Sequence, residues 1–272
     1  MKNNKLFLLG LSALLLVSCG SGTPIDVETA AQRATNIKAK LDNNEVESPT
    51  AYSVTSSVEA TSTDDKAENF SVFTQVVIDF ENKYLFVTME MDEGENESVN
   101  SSWIYVENEK LILATQEDDN KYYVEQSSLL FDSVVSGTLE SLEDIDPIES
   151  SKLIVNELLS IYDSYKAYEE QKASNSEETE ETESYKISNT SKGEGHLALK
   201  FSVKETVENV ETNVAMKIEI DNYLLASSTV EMEMIDNSSD KPVSTKMVTE
   251  TNYKYSASIK KPNLKDFTKA GF

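Results

Sequence analysis

The segment FSVFTQVVIDFENKYLFVTMEM, residues 70–91, decides how the rest of the chain is read. Phe70, Val72, Val76, Ile78 and Phe80 share one phase, with polar Ser71, Gln75 and Asp79 in the other. After Glu81-Asn82-Lys83 the alternation resumes, and Leu85, Val87, Met89 and Met91 fall in one phase. A period of two places successive side chains on opposite faces of a strand. The short polar break turns the second run back against the first. The stretch therefore predicts an antiparallel hairpin with one apolar face.

The same pattern extends outward in both directions. Upstream, Tyr52, Val54 and Val58 open a strand. Downstream, an acidic loop over Asp92–Asn100 is expected to lead into Trp103–Val106, a turn at Glu107–Lys110, then Leu111–Thr115 and Tyr122–Val124. A second block begins with Leu197, Leu199, Phe201 and Val203, followed by Val214, Met216, Ile218 and Ile220. After a turn at Asp221-Asn222, Leu224, Ala226, Val230, Met232 and Met234 continue it. Val243, Met247, Tyr253 and Tyr255 close the meander across the loop Ile235–Pro242. From Pro262 the chain reads as a lysine-bearing tail, with Leu264 and Phe267 as apolar anchors.

Between and before these blocks the period changes to that of a helix. Val27, Ala30, Ala31, Ala34, Ile37 and Leu41 are helically spaced behind Asp26, a good N-cap residue. Leu129, Leu130, Val134, Val135 and Leu139 predict a short helix weakened by Gly137. Asp146-Pro147 opens a longer one, with Ile154, Leu158, Ile161, Tyr165 and Tyr168 as its apolar stripe. Residues 171–184, rich in glutamate, read as a solvated acidic loop. Strands and helices do not alternate, which argues against a doubly wound parallel sheet. The expected class is α+β. A curved antiparallel sheet of about 10–11 strands, an open half-barrel, is covered on one face by about three helices.

The N-terminus carries a different signal. Lys2 and Lys5 precede an apolar run, Leu6–Val17, of about twelve residues, too short to span a hydrocarbon core of roughly 30 Å as a helix. It suits the apolar region of a secretory leader. The run ends in Leu16-Val17-Ser18-Cys19-Gly20, which resembles the lipobox of bacterial lipoproteins. The resemblance implies lipidation of the Cys19 thiol and cleavage just before it. Residues 1–18 would then be a signal peptide, residues 19–25 a tether, and residues 26–272 a single domain. The expected address is the cell membrane, on its extracytoplasmic face, through two acyl chains on Cys19. Each buried methylene contributes roughly 0.8 kcal/mol to such an anchor.

Composition narrows the function. Without residues 1–18 the chain keeps 22 basic and 49 acidic side chains, a net charge of about −27. Nucleic-acid binding rests on lysine and arginine neutralising phosphates, so no nucleic-acid partner is expected. Arg33 is the only arginine, so a cluster of arginines for bidentate anion recognition is excluded. Cys19 is the only cysteine, so no disulfide within the chain is possible. His196 is the only histidine, on what reads as the polar register of a strand, and a surface position is expected for it. With one histidine and a lipidated cysteine, a histidine- or cysteine-based zinc site has too few ligands. No metal or other cofactor is expected. The acidic run 171–184 lacks the glycine that an EF-hand loop needs. Gly193-Glu194-Gly195 lacks the setting of a phosphate loop. No Gly-x-Ser-x-Gly elbow supports a hydrolase, and no catalytic residue is assigned.

The layout of helix Asp26–Leu41, first meander, helical insertion Ser127–Tyr168 and closing meander resembles the LolA/LppX-like group of bacterial lipoproteins and lipoprotein carriers. It is similar also to lipoproteins of this size from Gram-positive bacteria. The resemblance is architectural and carries no motif, so it transfers no ligand-contacting residue. It implies a half-barrel that binds an acyl chain or lipid. An excess of apolar strand face over helix cover, with Met89, Met91, Met216, Met232, Met234 and Met247 within strands, points the same way. The alternative is an envelope interaction or adhesion module, its sheet purely structural, that meets a protein partner through the acidic segments 92–100 and 171–184.

Overall fold

A computed structural model describes residues 22–64, 69–94, 96–140, 145–174, 183–238 and 241–270. The leader and Cys19 lie outside the described residues. The elements follow the predicted order, with a short strand added at each end and the strand Glu183–Gly193, which the alternation did not single out, added ahead of the second meander. They are β1 (Thr23–Ile25), α1 (Val27–Asp42), β2 (Ala51–Ser62), β3 (Phe70–Asp79), β4 (Tyr84–Glu93), β5 (Asn96–Glu107), β6 (Lys110–Glu117) and β7 (Asn120–Ser127). Then come α2 (Phe131–Glu140), α3 (Pro147–Ser174), β8 (Glu183–Gly193), β9 (His196–Val207), β10 (Val210–Asp221), β11 (Leu224–Asp236), β12 (Val243–Lys254) and β13 (Thr268–Lys269).

Among the described residues the thirteen strands form one open sheet, in the order β1-β8-β9-β10-β11-β12-β2-β3-β4-β5-β6-β7-β13. The two meanders are joined side by side through β12 and β2, which pair antiparallel from Thr245↔Ser62 to Lys254↔Ser53. Only β13 runs parallel to its neighbour, β7. The sheet is α+β and half-barrel-like, as the alternating sequence predicts. Its hairpins are tight. Asn108 and Glu109 have φ of 48° and 64°, and Asn222 and Tyr223 have φ of 49° and 69°. Positive φ at both central residues matches the twist of two-residue hairpins, and asparagine tolerates it without glycine.

Three expectations are corrected. Asp92–Asn100 is not a loop: β4 runs to Glu93, β5 starts at Asn96, and those two residues pair across a turn in which Gly94 takes φ +70°. Residues 23–25, read as tether, are an edge strand paired with Thr190 and its neighbours on β8. The acidic segment 171–184 is helical up to Ser174 and strand from Glu183, and residues 175–182 lie outside the described part.

The helices cover half of one sheet face. Asp26 caps α1, its Oδ1 accepting from the Thr29 backbone N–H at 2.7 Å, and Ala30, Ala34, Ile37 and Leu41 are buried. Asp146 caps α3, accepting from the N–H groups of Ile148 and Glu149 at 2.8 and 3.0 Å. The buried stripe of α3 is Pro147, Ser150, Ser151, Val155, Leu158 and Tyr162. Ile154, Ile161, Tyr165 and Tyr168 are only partly covered, so the helix is turned by about one residue from the expected stripe. Beneath α1 and α3 lie Tyr52, Val54, Val76, Ile78, Leu85, Ile104, Leu197, Leu199, Ile218 and Ile220. A smaller cluster lies on the opposite face, where Val77, Tyr84, Tyr105, Ile112 and Ala114 are covered by Ala257, Leu264 and Phe267 of the tail.

Candidate functional site

Buried positions on the helix-covered face come from one end of each strand. They are the start of β2, the end of β3, the start of β4, the start of β9 and the end of β10. Toward the other end the apolar alternation continues and the helices do not. Two cross-strand rows result. One joins Phe201, Met216, Val230, Thr249, Val58, Val72 and Met91 in register across β9, β10, β11, β12, β2, β3 and β4. The next joins Val203, Val214, Met232, Met247, Ala60 and Phe70. These side chains are half-buried at best, and Phe70, Met89 and Met234 are 40%, 39% and 45% exposed.

The opposite face of the same strand segments is mostly polar, with Phe73 and Val248 as exceptions. Ser57, Glu59, Ser71, Lys204, Asn213, Glu231, Glu233 and Lys246 alternate with the apolar residues. There Lys204 pairs with Glu211 at 2.6 Å and Lys246 with Glu231 at 3.2 Å. The Lys204 ammonium, with the Asn213 amide, holds the Glu211 carboxyl below its ordinary range. The bare half of the sheet is thus amphipathic, and its apolar face is the one continuous with the core. On that face, among the described residues of the β4–β6 and β9–β11 segments, charge enters at the outer margin, with Glu93, Glu117, Glu205 and Asp236 in the apolar register. The C-terminal part of α3 bounds the field on one side. Tyr168 packs on Tyr185 with ring centroids 4.7 Å apart, and Tyr185 on Phe201 at 5.8 Å.

A field of this kind can hold an apolar chain by burial alone. Met216, Met232 and Met247 suit it, because unbranched thioethers repack around variable shapes. Of the methionines singled out from the sequence, all six lie on strands and share this face.

His196 lies elsewhere, and the surface position expected for it is wrong. It is 3% exposed. Its Nδ1 accepts from the Lys192 backbone N–H at 3.2 Å, its Nε2 lies 3.2 Å from Glu219 Oε1, and its carbonyl accepts from Ser191 Oγ at 2.7 Å. The register was read correctly as the polar one, but Ser191, Lys192 and Glu219 close over it. A backbone donor to Nδ1 together with Glu219 at Nε2 defines the tautomer with the proton on Nε2. The ring braces the β8–β9 turn, where the only arginine, Arg33, also donates to the Gly193 carbonyl.

Among the described residues no group of three or more histidine, cysteine, aspartate or glutamate side chains is placed to hold a metal ion. No described helix is long and apolar enough to cross a membrane. What fold and site together define is an open, largely antiparallel sheet, helix-covered over part of one face, with an apolar field that continues beyond the helices. A scan against known protein families finds no match, and a search of curated proteins finds none.

Proposed function

We propose that this chain is a lipoprotein held at the extracytoplasmic face of a membrane through lipid on Cys19, and that it binds a hydrophobic ligand, a lipid or acyl chain, on the bare half of its sheet. The observation that carries the binding role is the pair of in-register apolar rows that run out from under α1 and α3. Soluble proteins rarely leave a contiguous apolar patch of this extent uncovered without a use for it. The field is free of charge between its rows, which favours the hydrocarbon part of a ligand over a charged head. The anchoring role rests on the lipobox-like Leu16-Val17-Ser18-Cys19.

Native mass spectrometry of the purified full-length chain tests the binding role. Bound acyl-containing mass should accompany the protein and disappear when Met232→Glu and Met247→Glu are combined, since these two face each other across β11 and β12. A ligand-free wild type, or an adduct retained unchanged by the double variant, would end this reading. Metabolic labelling with palmitate tests the anchor separately: label should enter the wild-type chain and be lost in Cys19→Ala.

A further inference from the structure

The sheet face opposite the helices holds a pocket of about 540 Å³ beneath the C-terminal segment. Its floor is one register row: Lys254 pairs with Ser53, Ser53 with Val77, Val77 with Phe86, and Phe86 with Trp103. The Phe86 and Trp103 rings lie 5.2 Å apart. Its roof is the chain leaving β12, which the Tyr84 hydroxyl ties down by donating to the Lys260 carbonyl at 2.9 Å. Phe267 meets the edge of Trp103 at 6.0 Å, and β13 pairs with β7, so both ends of the roof are fixed.

The rim is cationic in a strongly anionic protein. Elsewhere Lys38, Lys110, Lys152 and Lys204 lie within ion-pair distance of a carboxylate, while Lys83, Lys121, Lys166, Lys186 and Lys217 are dispersed without one among the described residues. At this rim three lysines border one pocket. Lys261, at this rim, pairs with Glu107 at 3.0 Å. Lys254 and Lys260 also line the pocket, and among the described residues no carboxylate pairs with either. The segment from 254 to 270 carries five lysines and a single acid, Asp266, against a chain total of 24 basic and 49 acidic side chains. Cations concentrated around a partly enclosed apolar floor raise the local concentration of anions.

We propose that this pocket binds an aromatic carboxylate, its ring against Phe86 and Trp103 and its carboxylate between Lys254 and Lys260. A flat ring matches the aromatic floor through offset or edge-on packing. An acid gives the two lysines the counter-charge that the protein withholds. The site is independent of the apolar field, which lies on the other face of the sheet.

Trp103 is the only tryptophan, so its emission reports on this floor alone. Titrating the purified full-length chain with 3-phenylpropanoate should shift that emission saturably, and uncharged 3-phenylpropanol should not. Lys254→Gln with Lys260→Gln should weaken the affinity by about tenfold or more. Met232→Glu with Met247→Glu, on the far face, should leave it unchanged. An absent shift, equal binding of the alcohol, or wild-type affinity in the lysine double variant would overturn the proposal.

Discussion

Ser151 shows how a single side chain joins the helices to the sheet. It is fully buried on α3, its Oγ donates to the Pro147 carbonyl, and it accepts from the Leu225 backbone N–H at 2.8 Å. Leu225 lies beyond the ladder between β11 and β12, which begins at Ser227↔Asn252, next to a bulge that sets Ile220 opposite Leu225. Its N–H is served by Ser151 and its carbonyl by the Tyr255 hydroxyl. A buried backbone donor left unpaired costs about 1–3 kcal/mol. Ser151→Ala should therefore lower stability by about that much in a urea titration, and Ser151→Thr by less if the hydroxyl keeps its place. His196 acts in the same structural way on the β8–β9 turn.

At the scale of elements, α3 is the informative case. Leu158 and Tyr162 are fully buried, and the Tyr162 hydroxyl donates to Asn189 Oδ1 at 2.9 Å. Ile161, which belongs to the stripe expected from the sequence, is only partly covered. Removing a fully buried leucine costs about 2–5 kcal/mol, because transfer and cavity terms add. Leu158→Ala should thus be clearly more destabilising than Ile161→Ala when both are compared by chemical denaturation. The reverse order would place the wrong face of α3 against the sheet. The rotation has a local cause: small Ser150 and Ser151 let the helix approach β11 and β12 closely, where Tyr253 donates to Ser150 Oγ at 2.8 Å.

At the scale of the whole molecule, stability rests on burial, and much of that burial is of tyrosine. Burial, with Glu107 nearby, pushes the Tyr105 hydroxyl up to about 12, and burial raises Tyr52, Tyr84, Tyr162 and Tyr255 as well. A folded-state value above the unfolded one of about 10 gives stability that is complete below pH 10. That contribution is lost as pH rises toward the folded value. Unfolding free energy measured by denaturant should accordingly fall between about pH 10 and 12. Tyrosine ionisation followed by absorbance should be delayed in the folded chain relative to the unfolded one. A flat stability profile over that interval would contradict the packing described.

Period-two alternation in segments such as 70–91 was enough to define most of the strands, the antiparallel pairing within each meander and the α+β class, because strands consecutive in a meander are joined by short connections. The pairings of β12 with β2, β1 with β8 and β13 with β7 join segments distant in the chain. Asp26 and Asp146-Pro147 likewise marked two helix starts, since capping is a local property of the chain. The excess of apolar strand over helix was also legible as composition. Tertiary structure alone decided where that excess lies, because it depends on which ends of the strands α1 and α3 cover. The same holds for His196, whose polar register is local while its burial depends on Lys192 and Glu219 closing over it. The pocket under the tail was out of reach for the same reason: Lys254 and Lys260 meet Trp103 only when β12 folds beside β2 and the C-terminus returns across the far face. Local periodicity sets what each segment becomes, and long-range packing sets which of its surfaces remains open.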